Sequence, residues 1–209
     1  MATTIGMKRS QTVKHSGKRA DFLAFLQCWC RSPAAVGLPF ESSQWAAQRL
    51  AQTTLETKSL DEGPILELGA GTGSVTQALA DLGCPFEQIV VVERDAQLCR
   101  LLRKRFKGLR VLSGDALQLG KLLETENIRS VRTVLSGLPM RAIPFGLAIG
   151  CYSQAFQLMP NGGAIVQYTY GLQPPVDLQA SGLNLEAMFM GREWRNFPPI
   201  GIWKYRLVS

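Results

Sequence analysis

Apolar residues fall into two rhythms along the chain. Ile65-Leu66-Glu67-Leu68, Ile89-Val90-Val91-Val92-Glu93, Arg110-Val111-Leu112, Val131 to Leu135 and Ala164 to Tyr170 are short, nearly unbroken runs of the kind that form buried strands. Between them, residues 73 to 82, 96 to 106 and 145 to 158 carry helical periodicity. This alternation predicts βαβ units of a mostly parallel sheet with helices on both faces. In the second of these helices Leu98, Leu101, Leu102 and Phe106 are the expected buried stripe, leaving Arg100, Arg103, Lys104 and Lys107 on a solvated face. Upstream, Ser42 or Ser43 can cap a helix reaching about Leu55 that includes Trp45 and Leu50. Towards the end the rhythm changes. A weak helix is expected at 183 to 190, followed by strand-like segments at 192 to 197 and 201 to 208 about Pro198-Pro199, so that the sheet finishes with an antiparallel pair.

Residues 20 to 31 are expected to form a different kind of helix, ended by Ser32-Pro33. At roughly 100° per residue, Phe22, Leu23, Phe25, Leu26, Trp29 and Cys30 share one face, with Gln27 and Arg31 opposite. Charge sharpens this picture. The net charge is +7, and Lys8, Arg9, Lys14, Lys18 and Arg19 supply five positives in the first twenty residues, where there is no acid. The remaining 18 basic and 16 acidic residues leave the rest at only +2. A basic arm leading into an aromatic amphipathic helix fits an anionic membrane interface, with Lys18, Arg19, Phe22, Phe25, Leu26 and Trp29 as the contacting residues. Packing of that helix on the domain core is the competing expectation. The expected organisation is therefore an arm and membrane-facing helix over 1–41 and one α/β domain over 42–209.

The 209 residues, 46% of them hydrophobic, suffice for one full core. Five cysteines, Cys28, Cys30, Cys84, Cys99 and Cys151, contain no C-x-x-C pair and are odd in number, which argues against a zinc site and a disulfide framework. The expectation is a cytoplasmic protein without a metal, with neither a membrane-spanning run nor a cleavable leader.

The chemistry centres on Glu67-Leu68-Gly69-Ala70-Gly71-Thr72-Gly73, where a strand runs into three alternating glycines and then a helix. Glycines there permit unusual φ values and close approach of a ligand. In a doubly wound sheet, ligands bind beyond the carboxyl ends of the strands. Glu93 ends the second strand and is followed by Arg94; Gly114-Asp115-Ala116 follows the third; Ser136-Gly137-Leu138-Pro139 follows the fourth. Glu93 can accept from two ribose hydroxyls and Asp115 from an adenine amino group, which gives the ligand an adenosine shape. The G-x-G-x-G spacing, with Glu67 inside the strand, points to S-adenosylmethionine rather than a dinucleotide.

These residues resemble the class I, Rossmann-like S-adenosylmethionine-dependent methyltransferases over about 42 to 208. Within them the chain is similar to the bacterial phospholipid N-methyltransferases, through the glycine motif with Val75-Thr76-Gln77-Ala78-Leu79, Val92-Glu93 with Cys99-Arg100-Leu101-Leu102, Gly114-Asp115-Ala116 and Ser136-Gly137-Leu138-Pro139. Gln167-Tyr168-Thr169-Tyr170-Gly171, Asn196-Phe197-Pro198-Pro199 and Trp203-Lys204-Tyr205 extend the likeness. Ser32-Pro33 to Val36-Gly37 also has a counterpart. Leu38-Pro39-Phe40-Glu41 and Arg141-Ala142 depart from the family's usual residues. The resemblance implies stepwise N-methylation of phosphatidylethanolamine towards phosphatidylcholine, by an enzyme held peripherally on the inner face of the membrane.

With His15 alone on the basic arm, no core histidine is available as a base. Tyr168 and Tyr170 are the candidate catalytic residues: alternate positions of a strand share a face, and aromatic faces attract ammonium groups. Ribosomal RNA adenine dimethylases share the glycine motif and carry Asn-Leu-Pro-Tyr after the fourth strand. Gly137 and Met140 replace the asparagine and the stacking aromatic here, which argues against a nucleic-acid substrate. An rRNA adenine methyltransferase, or an enzyme for another amine lipid such as ornithine lipid, is the alternative.

Overall fold

The computed structural model describes residues 44–57, 63–160, 162–177, 181–196 and 198–208. The expected amphipathic helix over 20 to 31, with Lys18, Arg19, Phe22, Phe25, Leu26 and Trp29, lies outside the described residues.

Helix α1 (Gln44–Leu55) precedes β1 (Ile65–Leu68), α2 (Ser74–Asp81), β2 (Ile89–Glu93), α3 (Ala96–Arg105), β3 (Arg110–Ser113), α4 (Leu119–Thr125), β4 (Thr133–Ser136), α5 (Phe145–Gln157), β5 (Ala164–Thr169), β6 (Leu185–Glu193) and β7 (Ile200–Leu207). The seven strands form one sheet in the order β3-β2-β1-β4-β5-β7-β6. The first five are parallel, and β7 runs antiparallel between β5 and β6. This is the Rossmann-like doubly wound fold, ending in the expected antiparallel pair. The order reverses between β1 and β4, so their loops flank the switch point.

Strand period two sorts the core into two layers. Leu66, Leu68, Val90, Val92 and Val134 face α4 and α5, where they meet Leu119, Leu123, Cys151 and Tyr152. Ile65, Ile89, Val91 and Leu135 face the opposite layer of α1, α2 and α3, with Leu50, Leu79, Cys99 and Leu102. Cys84, Cys99 and Cys151 are buried free thiols. Among the described residues, no helix is long and apolar enough to cross a membrane.

Several elements depart from expectation. The segment at 183 to 190 is strand β6, not a weak helix: Leu185 and Ala187 pack on the core, and Phe189 stacks on Trp203 with centroids 5.1 Å apart. Leu, Glu, Ala and Met favour helices in isolation, but pairing along β7 decides the conformation. A bulge between Phe189 and Gly191, where Gly191 has φ 107°, breaks the strand's period. Residues 194 to 196 form a turn rather than a continuing strand. Helix α4 had no expected counterpart; it has only seven residues, and left-handed Asn127 (φ 55°) follows its end. Leu101 is 42% exposed, and the buried stripe of α3 consists of Cys99 and Leu102 continuing into Phe106.

Candidate active site

Backbone hydrogen bonds stitch the loops at the carboxyl ends of the strands together. The Gly69 N–H donates to Val92 O (2.8 Å), Gly114 N–H to Glu93 O (3.0 Å) and Gly137 N–H to Leu68 O (2.8 Å). The loops after β1, β2, β3 and β4 are thus joined into one floor at this edge of the sheet, which holds the expected cofactor residues except Glu67, which lies within β1.

The glycines have distinct roles. Gly71 has φ 58°, and a Cβ there would meet nothing within 4 Å, which leaves room for a ligand against the turn. Gly73 has φ 87°, and its Cβ would strike the Phe106 ring, so the start of α2 packs directly on the end of α3. Gly137 lets two backbones meet, since its Cβ would lie 2.7 Å from Gly69 O. Ala70 packs against the α1–α3 layer.

Glu93 is 5% exposed and its carboxylate is held by backbone N–H groups: Oε1 accepts from Arg94 (2.7 Å) and Asp95 (2.9 Å), and Oε2 from Gly71 (3.0 Å). A carboxylate offers about four acceptor positions, so one on Oε2 is left. This revises the expectation of two ribose hydrogen bonds. Arg94 contributes its backbone N–H, while its side chain is exposed. Asp95 caps α3 by accepting from Gln97 and Leu98 N–H.

Asp115 accepts from the Leu117 N–H with Oδ1 (3.0 Å), holding the turn in which Ala116 is buried. In the fourth loop, Ser136 is buried and its Oγ accepts from the Leu138 N–H at 3.4 Å. Met140 is 3% exposed within the α4–α5 layer. The position at which a stacking aromatic would serve a flipped base is turned into the core here.

Glu67 is buried and accepts from the Thr76 hydroxyl at 2.6 Å. Burial raises its pKa to about 7, the Thr76 hydrogen bond opposes that shift, and the Glu93 charge adds to it. Tyr168 and Tyr170 face the same side of the sheet, as strand alternation requires, and meet edge to face with centroids 5.9 Å apart. Burial raises both phenols, with Tyr170 pushed up to about 12 against a hydrogen bond from Asn196. Both hydroxyls are therefore protonated at neutral pH, which leaves aromatic faces and hydrogen bonds as what they offer a substrate.

Sequence reasoning missed Gln167 and Thr76 as supports of the site. The Gln167 Nε2 donates to Leu138 O and to Tyr168 O, both at 2.9 Å, tying the loop after β4 to the tyrosine strand. A lone amide in Ala-Ile-Val-Gln-Tyr-Thr was the available signal, since a fully buried polar residue needs partners.

This floor fits S-adenosylmethionine by its donor set and shape: an open left-handed glycine turn, a preorganised carboxylate after β2 and a second acid after β3. Comparisons with known proteins agree. Residues 37–139 match the family model "Ribosomal RNA adenine dimethylase". The ornithine lipid N-methyltransferase of Singulisphaera acidiphila is 31% identical over 193 residues, covering 90% of this chain and 97% of that protein. The ribosomal RNA small subunit methyltransferase A of Synechococcus sp. is 38% identical over 98 residues, which span 46% of this chain and only 31% of that protein. Among solved structures, the magnesium protoporphyrin IX methyltransferase of Synechocystis, solved with bound S-adenosylmethionine, superposes with a TM-score of 0.60 at 12% identity, covering 95% of this chain and 100% of that one. The identity to that structure is low enough that it speaks for the fold alone. By its glycine turn, its acids after β2 and β3 and its near end-to-end relative, the chain belongs to the class I S-adenosylmethionine-dependent methyltransferases.

Proposed function

We propose that the protein N-methylates the amine headgroup of a membrane lipid, with ornithine lipid favoured as substrate. Phosphatidylethanolamine, on the way to phosphatidylcholine, is the second reading, supported by the motif resemblance. The carrying observation is the Tyr168 and Tyr170 pair at the end of β5, which Gln167 ties to the Leu138 loop, while Met140 is buried on the other face of the sheet. The tyrosine pair would offer ring faces to a compact ammonium, and the position after Leu138-Pro139, buried Met140, has no aromatic to stack on a flipped base. The relative that matches from end to end acts, by its name, on ornithine lipid, whereas the chain spans about a third of the matched ribosomal RNA methyltransferase.

When bound, the cofactor supplies an electrophilic methyl on its sulfonium. Glu93 would hold the ribose, Asp115 the adenine amino group, and the turn at Gly69, Ala70, Gly71 and Gly73 would admit the remainder. Glu67, Arg94, Gly114, Ala116, Ser136, Gly137 and Leu138 complete the cradle. The acceptor amine would have to be neutral to take that methyl, and what this chain supplies is alignment of the two groups and exclusion of water. Tyr168 and Tyr170 act as positioning faces for an ammonium that gains methyls, and their hydroxyls keep their protons. The basic arm and residues 20 to 31 would hold the enzyme peripherally on the cytoplasmic face of an anionic membrane.

The test is expression in a bacterial host that makes ornithine lipid and phosphatidylethanolamine but methylates neither. Mass spectrometry of the lipids should show methylated ornithine lipid; an unchanged lipid profile with a folded, cofactor-binding protein would reject the proposal.

A further inference from the structure

Large apolar side chains crowd the rim beside the tyrosines. Leu172 is 76% exposed, Trp194 72% and Trp45 48%. Two arginines link the segments that carry them. The Arg192 guanidinium lies 5.6 Å from the Trp194 centroid and donates to Gly171 O at 3.4 Å, next to Leu172. Arg195, adjacent to Trp194, stacks 4.1 Å over the Trp45 ring. Tyr170 precedes Gly171 in the chain, and its partner Asn196 follows Arg195, so both segments of the rim adjoin the proposed acceptor wall.

A cluster of exposed apolar groups beside a site marks an interaction surface. We propose that Leu172, Trp194 and Trp45, backed by Arg192, form a second membrane-docking surface that seats the mouth of the site on an anionic lipid bilayer. It rests on the amine-lipid reading and adds a contact from the folded domain itself. Three features favour a bilayer. Leu172 offers aliphatic surface with no π-face for a base. Arginines of this chain already cover one face of each tryptophan, which suits rings lying in headgroups better than rings stacking on nucleotides. Charge also matches. Glu193 neutralises Arg195 through hydrogen bonds of 2.8 and 2.9 Å, which leaves Arg192 to pair with a lipid phosphate. The five cations and no acids of the first twenty residues, on the chain that leads into Trp45, attract the same partner from a distance.

The full chain and Leu172→Ser/Trp194→Ser are compared by co-flotation with phosphatidylglycerol vesicles. In parallel, calorimetry follows S-adenosylmethionine binding, and label transfer follows methylation of ornithine lipid dispersed in detergent micelles. The double variant should bind vesicles roughly tenfold more weakly, as expected for removing two interfacial apolar side chains, with cofactor binding and micellar activity unchanged. The conservative pair Leu172→Phe/Trp194→Tyr should float like the unsubstituted chain. Flotation of the serine variant equal to that of the unsubstituted chain would overturn the surface, as would loss of binding to an RNA oligonucleotide with vesicle binding intact. Weaker flotation by the serine variant, with no methylation of micellar lipid by either protein, would keep the docking surface and reject the substrate.

Discussion

The Gly71 N–H donates to Glu93 Oε2 at 3.0 Å, so the glycine turn after β1 and the acid that ends β2 are parts of one hydrogen-bonded unit. Glu93 shapes the turn and keeps one acceptor position, which we propose takes a ribose hydroxyl. Glu93→Ala is expected to weaken S-adenosylmethionine binding by roughly ten- to a hundredfold, the range for a lost hydrogen bond to a charged group. Isothermal calorimetry decides; unchanged affinity would reject the assignment.

Gly71 and Gly73 separate binding from folding. Gly73→Ala places a methyl against Phe106 and Leu102 in a left-handed backbone, and should cost more than about 1 kcal/mol of stability. Gly71→Ala meets open space and pays only the left-handed conformation, about 1 kcal/mol, but its methyl would intrude on the proposed cofactor position. Thermal melts and calorimetry together should show Gly73→Ala lowering the midpoint more, and Gly71→Ala losing more cofactor affinity per degree of midpoint lost. The opposite ranking would contradict these roles.

A raised carboxyl pKa makes stability depend on pH. Glu67 titrates near 7 when folded and near its ordinary 4.5 when unfolded, so the folded state holds a proton that the unfolded chain has released. Stability is therefore full below about 4.5 and falls as pH rises towards 7, by at most about 3 kcal/mol. Glu67→Gln should remove that slope, so the ligand-free variant should gain midpoint relative to the unsubstituted protein on going from acidic to mildly alkaline buffer. A constant difference across that range would show that Glu67 is ionised in the fold.

For the tyrosines, ring and hydroxyl make separable contributions. Tyr168→Phe and Tyr170→Phe keep the faces and should retain most activity, with Tyr170→Phe losing only its link to Asn196. Replacing either with Leu should lower kcat/KM by about tenfold or less, in the range of a cation–π contact. Activity should show no step from phenol ionisation below pH 10, because burial raises both groups. A Leu variant with full activity would reduce the pair to packing.

Much of this was legible in the sequence because the parallel strands are buried on both faces and so read as continuous apolar runs, bounded by glycines that only a turn would require. Glu93 and Asp115 were legible through their place after β2 and β3. What Glu93 does with three backbone N–H groups was not, since those partners are set by how the loops meet. Strand β6 was hidden because Leu-Glu-Ala-Met is good helix sequence and only the neighbouring strand makes it extended. The rim residues Trp45, Leu172 and Trp194 come from segments far apart in the chain, and no local pattern announces that arginines link them.

Incubation of the full-length chain with methyl-labelled S-adenosylmethionine and separate pools of ornithine lipid, phosphatidylethanolamine and unmodified ribosomal RNA tests the central claim most directly. Label should enter the amine lipids, ornithine lipid foremost. Label in the RNA alone would contradict it.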